Sequence, residues 1–156
     1  MNETRRVFLK GSLAAGAVGV AVGAGLLSPR AVLASWPQSA FDAKSVDAAL
    51  SAAVGSDKTE ASSDITVKAP DIAENGAVVP ITISSTIAGA SSIALLAEQN
   101  ASPLTSTFEL GEGTEAFVST RIKMGKTSNV LAVVKAGGKL YSAKKEVKVT
   151  IGGCGG

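Results

Sequence analysis

Val79-Pro80-Ile81-Thr82-Ile83-Ser84 alternates apolar and polar residues one by one. Val79, Ile81 and Ile83 fall on one side of an extended chain and Pro80, Thr82 and Ser84 on the other, the period of a half-buried β-strand. Asn75-Gly76, just upstream, is a strong turn dipeptide. Pro80 has no N–H for a ladder, so it belongs to an edge or to the beginning of a strand. The edge around residues 79–84 is therefore one place where a partner could pair.

The same period continues on both sides of this stretch. Ile65, Val67 and Ala69 alternate with Thr66 and Lys68, and residues 70–76 follow as a turn. Residues 93–97, 105–110, 115–123 and 128–135 are further strand candidates. Gly137-Gly138 makes a hairpin turn into a long last strand over residues 139–151. Upstream, residues 57–63 are polar and loop-like. Residues 41–54 have a helical pattern, with Val46, Ala49, Leu50 and Ala53 as the apolar stripe. Asp42 or Ser45 can cap its start, and Gly55 suits its stop. One short helix followed by roughly seven strands predicts a mainly β fold, an immunoglobulin-like antiparallel β-sandwich. The paired cysteines and core tryptophan of antibody domains are missing, so the expectation concerns architecture alone. Trp36, Phe41, Phe108, Phe117 and Tyr141 are expected as core or staple residues.

The N-terminus carries a different message. Thr4-Arg5-Arg6-Val7-Phe8-Leu9-Lys10 is a twin-arginine export motif. A smooth apolar run follows over residues 11–27, and Val32-Leu33-Ala34 offers small residues to a signal peptidase. A membrane span would want about 20 strongly apolar residues. This run is shorter and is weakened by Gly11, Gly16, Gly19, Gly23 and Gly25. Residues 1–34 are therefore expected as a cleaved signal peptide, residues 35–151 as the folded domain and residues 152–156 as a separate arm. Export by this route leads to the periplasm.

Removing the signal changes the charge. Arg5, Arg6, Lys10 and Arg30 are four of the 15 basic residues, and Glu3 is one of the 13 acidic ones, which leaves 11 against 12. Such a near-neutral domain has no basic surplus to attract nucleic acid or an anionic membrane. The chain has no histidine, which removes the commonest general base and the commonest metal ligand. It contains one cysteine, which can have no intrachain disulfide partner. In an oxidising compartment that pattern suggests intermolecular pairing or a reactive thiol.

That cysteine lies in Gly152-Gly153-Cys154-Gly155-Gly156, directly after the last strand. Glycine adds no packing and loses much conformational entropy on ordering, so the stretch is expected to be a flexible arm. At full extension the arm reaches roughly 10 Å to Cys154. A glycine-flanked thiol can enter a narrow pocket without side-chain clashes, and its thiolate can be joined to an oxidised sulfur species. Nothing close in sequence except Lys148 would favour the thiolate, so activation falls to a partner's site. A plain disordered tail is the simpler alternative, but an exposed cysteine in such a compartment is open to stray oxidation. Lys135, Lys139, Lys144, Lys145 and Lys148 could offset the charge of an anionic adduct. Alternation with Glu146 makes them more simply a solvated strand face.

The glycine-flanked cysteine resembles the signature of the SoxY family, the sulfur carriers of periplasmic thiosulfate oxidation. Ala69-Pro70-Asp71-Ile72-Ala73-Glu74-Asn75-Gly76 with Val79-Pro80, residues 100–108, and Arg121-Ile122-Lys123-Met124 are similar too. The resemblance implies covalent attachment of sulfur at Cys154, with Gly152, Gly153, Gly155 and Gly156 as the arm. It implies a heterodimer with a SoxZ-like subunit and encounters with SoxAX, SoxB and SoxCD-like enzymes. It implies no enzymatic activity and no cofactor in this chain, with haem and manganese held by partners. A Cys154-linked homodimer is a further possibility on oxidation.

Two other readings compete. A terminal Gly155-Gly156 could carry sulfur as a thiocarboxylate, although the export motif and the strand-rich pattern speak against it. A binding or structural sandwich could use Cys154 for an intermolecular disulfide. The export assignment predicts that N-terminal sequencing of the exported protein begins at Ser35; retention of Met1 in the exported form would contradict it.

Overall fold

The computed structural model describes residues 37–151. The export motif and Trp36 lie outside the described residues, as does Cys154 with its glycines. The helical pattern of residues 41–54 resolves into two helices, α1 (Gln38–Asp42) and α2 (Val46–Val54). The break has a local cause. Ser45 takes an extended backbone and its Oγ accepts from the Ala48 N–H at 3.3 Å, which starts α2 afresh. Asp42 is engaged inside α1, where Gln38 Nε2 donates to its carboxylate at 2.9 and 3.0 Å. Gly55 ends α2 in the left-handed region, with its N–H on the Ser51 carbonyl at 3.1 Å.

Among the described residues nine strands follow: β1 (Glu60–Ala61), β2 (Ile65–Lys68), β3 (Ile72–Ala73), β4 (Val79–Ser85), β5 (Ala90–Ala97), β6 (Leu104–Glu109), β7 (Phe117–Ile122), β8 (Ser128–Ala136) and β9 (Lys139–Val149). They form two sheets. The larger runs β1-β9-β8-β5-β6, with β3 also paired to β9, and the smaller runs β2-β4-β7. The immunoglobulin-like sandwich expected from the alternation is the observed fold. Its strand pairs are antiparallel except where β1 and β3 lie parallel to β9. At two residues each, β1 and β3 are too short to show alternation, which is why residues 57–63 and 70–76 looked like loop and turn. Gly137 and Gly138 connect β8 to β9 with both φ angles positive, as a two-residue hairpin turn requires.

The larger sheet is buried on both faces. One face packs on the smaller sheet, where Val79, Ile81 and Ile83 meet Ile93, Leu95, Val130, Val134 and Val147. The other face is covered by the helices, through Ala40, Ala49, Leu50 and Val54 against Ala94, Leu96, Val133 and Leu140. Strand β5 therefore carries a continuous buried run from Ile93 to Ala97 in place of alternation. No helix follows Val54 among the described residues, so the crossover helix of a ubiquitin-like carrier is not found there.

Two expectations are corrected. Pro80 is not on an edge strand, because β4 lies between β2 and β7. Pro80 sits instead at the strand's beginning: β2 pairs only with Thr82 to Ser85, so its side of β4 is open at Pro80. The stretch 79–84 is thus no free edge for a partner. Of the described aromatics, Phe41 and Tyr141 pack against the core as staple residues, whereas Phe117 does not. Phe117 is exposed, and Phe41, Phe108 and Tyr141 are half-buried. Aliphatic side chains and Met124 fill the interior.

Because β5 is enclosed on both sides, Leu95→Ala is predicted to cost about 3 kcal/mol of stability. A chemical-denaturation midpoint close to the parent's would show that the layer is not the core.

Candidate functional site: the root of the C-terminal arm

Residues 152–156, and with them the proposed attachment residue Cys154, lie outside the described residues, as do Arg5 and Arg6. What the structure places is the point from which the arm departs. Four consecutive residues there are each held to a neighbouring segment. Lys148 N–H donates to the Asp71 carbonyl at 3.0 Å, and Val149 N–H to Thr127 Oγ1 at 2.9 Å. Thr150 N–H donates to the Ala73 carbonyl at 3.1 Å, and its hydroxyl to the Glu74 carbonyl at 3.1 Å. Gly76 N–H donates to the Ile151 carbonyl at 2.8 Å.

Local chemistry explains why this clasp forms. Asn75 Oδ1 accepts from the Ala77 N–H at 2.8 Å, an Asx-type turn that swings the chain from β3 towards β4. Gly76 at its centre is buried, with its N–H on Ile151 and its carbonyl accepting from Met124 N–H at 2.7 Å. Met124 is fully buried and anchors that loop in the sandwich. Asn100 completes the set: its Nδ2 donates to the Lys123 carbonyl at 2.7 Å, and its Oδ1 accepts from Gly125 N–H at 2.9 Å. The three body segments that resemble the family, around residues 69–76, 100–108 and 121–124, thus converge on one end of the fold. That end is where β9 finishes.

The lysines behave differently. Lys135 Nζ donates to the Val54 carbonyl at 3.3 Å and closes the end of α2. Lys145 pairs with Asp71 at 3.0 Å and Lys139 with Glu60 at 3.8 Å. These are surface pairs, worth well under about 1 kcal/mol each. Lys139 and Lys148 stand at opposite ends of β9, about 30 Å apart along it. The five lysines therefore do not gather into one site. Lys144, Glu146 and Lys148 are all exposed, the solvated face that alternation suggested. Among the described residues no group of three or more His, Cys, Asp or Glu side chains could hold a metal ion. A cleft of about 600 Å³ opens between residues 85–91 and 110–116, at the end of the sandwich remote from Ile151.

A model of the family described as sulfur oxidation protein SoxY matches residues 50–154. The chain belongs to the SoxY family. Its fold is similar to that of the sulfur carrier protein SoxY from Chlorobium limicola f thiosulfatophilum, with a TM-score of 0.62 and 47% sequence identity. That match covers 67% of this chain and 96% of the other. A superoxide reductase (neelaredoxin) from Ignicoccus hospitalis is a more remote likeness, at 18% identity and a TM-score of 0.48, covering 55% of this chain and 79% of that one. A comparison with curated proteins found no match. The SoxY family match extends to residue 154 and so includes the cysteine.

Thr127 and the carbonyls of Ala73 and Glu74 were not singled out from sequence. Backbone bonds leave no side-chain signature, and only Asn75-Gly76 marked the place, as a turn. Thr127→Val, which removes the acceptor for Val149 N–H, is predicted to loosen the clasp by about 1 kcal/mol. Amide hydrogen exchange at Val149 and Thr150 should quicken several-fold; unchanged exchange would show that Thr127 does not hold the root.

Proposed function

We propose that this SoxY-family chain carries sulfur covalently on Cys154 during thiosulfate oxidation and presents it to partner enzymes. The observation that carries this reading is the family match, which runs the length of the sandwich and through the cysteine. The clasp at Ile151 supports it physically. A carrier needs a fixed body, a defined point of departure and a short tether free of side chains. Gly152, Gly153, Gly155 and Gly156 would provide the last of these.

The chemistry required of Cys154 is simple to balance. The cysteine thiolate and thiosulfate join through a new S–S bond, giving a protein-bound S-thiosulfonate and releasing two electrons. An electron-accepting partner, a haem enzyme in this family's scheme, must take them. Water then cleaves the S–sulfone bond, releasing sulfate and two protons and leaving a persulfide on the cysteine. Neither step asks the carrier for an acid, a base or a metal. That fits a chain with no histidine, whose part is covalent holding rather than catalysis.

The setting follows from the same reading. The twin-arginine motif with Arg5 and Arg6 would export the folded chain to the periplasm. There it would pair with a SoxZ-like subunit and meet SoxAX, SoxB and SoxCD-like enzymes in turn. Among the described residues no helix is long and apolar enough to cross a membrane.

Cys154→Ser is predicted to abolish sulfur loading while leaving the melting temperature and partner-subunit binding unchanged. A serine variant that still supports thiosulfate oxidation in a reconstituted system would refute the assignment.

A further inference from the structure

Of the four asparagines in the chain, Asn75 alone is followed by glycine. That pair has a chemistry of its own. Once the Gly76 amide loses its proton to base, its nitrogen attacks Asn75 Cγ. The new C–N bond closes a five-membered succinimide, and the side-chain nitrogen leaves as ammonia. Water then opens the ring at either carbonyl, leaving aspartate or isoaspartate at position 75. No electrons are exchanged, and water is the only co-reactant besides base. Glycine permits the attack because it has no Cβ to obstruct the nitrogen or to restrict the backbone angles that closure needs. Asn2, Asn100 and Asn129 precede Glu3, Ala101 and Val130, whose side chains hinder it.

In the folded chain both reacting groups are held. Asn75 is exposed, within reach of water and base, whereas Gly76 is buried. The Gly76 proton is engaged on the Ile151 carbonyl at 2.8 Å. Asn75 Oδ1 accepts from Ala77 N–H at 2.8 Å and the Asn75 carbonyl from Val78 N–H at 3.5 Å, which keeps side chain and backbone in the turn. The two sides of Gly76 are not equally secure. Its carbonyl accepts from Met124 N–H at 2.7 Å, and Met124 is fully buried. Its N–H depends on Ile151, which lies beyond the end of β9 and is 67% exposed. Ile151 is steadied through Val149, on Thr127 Oγ1, and Thr150, whose hydroxyl is on the Glu74 carbonyl. The side that opens first is therefore the one that guards the reactive nitrogen.

We propose that Asn75-Gly76 is a deamidation site locked by the end of the last strand. While Ile151 accepts the Gly76 proton, succinimide formation is suppressed; when the strand end opens, the site becomes reactive. The rate at position 75 then follows the fraction of molecules in which that end is open, as exchange of a protected amide does. The two products differ in consequence. Aspartate keeps the main chain and an oxygen that accepts from Ala77 N–H, so the turn survives. Isoaspartate moves the side-chain methylene into the main chain, which lengthens the backbone before Gly76 and shortens the side branch. Gly76 then cannot keep its N–H on Ile151 and its carbonyl on Met124 together. Isoaspartate at position 75 therefore unfastens the strand end, and the reaction that the clasp suppresses also undoes the clasp. This chemistry is independent of what Cys154 carries.

The exported chain, incubated in mildly alkaline buffer below its melting temperature, tests this. Peptide mass spectrometry with isoaspartyl methyltransferase labelling follows position 75 in three samples: the folded parent, the parent in denaturant, and the variant Thr127→Val with Thr150→Val. Both threonines are exposed, and amide exchange at buried Leu95 checks that the core of the variant is intact. Thr127→Val alone replaces the pair if it is not. The folded parent should deamidate at least about tenfold more slowly than the denatured chain. The variant should fall between them, about fivefold faster than the folded parent, with exchange at Gly76 quickened in proportion. The purified isoaspartate form should exchange Thr150 N–H several-fold faster than the parent, whereas Asn75→Asp should match the parent. Equal rates in the folded and denatured parent overturn the lock. So does a variant that deamidates at the parental rate, whether or not its Gly76 exchange quickens. A denatured chain that yields no product at position 75 shows that there is no site. Parental exchange at Thr150 in the isoaspartate form refutes the unfastening.

Discussion

The bond from Gly76 N–H to the Ile151 carbonyl is the constraint on which the rest of the structure turns. With the contacts of Lys148, Val149 and Thr150, it fastens the last strand to its final described residue. Without it the end of β9 would fray, as chain ends do. With it, the chain is fixed as far as Ile151, three residues before Cys154. A few hydrogen bonds of about 1 kcal/mol each thereby fix where the described part of the chain ends.

Those bonds hold because their partners are anchored deeper in the fold. Met124 is buried, Gly76 is buried beside it, and β9 is paired along its length to β8. Strand β5, enclosed by the helices on one side and the smaller sheet on the other, ties the layers together. The result is a firm platform with a specified exit point. On the proposed reading this matters more than a pocket, because each partner enzyme would supply the pocket.

Much of this was legible in the sequence, and what was not has physical reasons. Alternation at Val79-Pro80-Ile81-Thr82-Ile83-Ser84 and the Gly137-Gly138 turn were enough to find the sandwich. Ser45 was recognisable as a cap, but its power to split residues 38–54 into two helices depended on the intervening extended backbone at Ala43. Pro80 spoke only of one missing donor, and two solutions satisfied it. The two-residue strands β1 and β3 were hidden because pairing at that length comes from tertiary placement. The clasp was hidden for the same reason: its donors and acceptors are mostly main chain. Cys154 and its glycines stood out from sequence alone.

The most direct test is peptide-level mass spectrometry of the C-terminal segment from cells living on thiosulfate, taken with and without reductant. A sulfur-containing adduct that reductant removes, localised to Cys154, is the outcome required of a covalent carrier. An unmodified Cys154 throughout growth on thiosulfate, or added sulfur found on Gly156 instead, would contradict it.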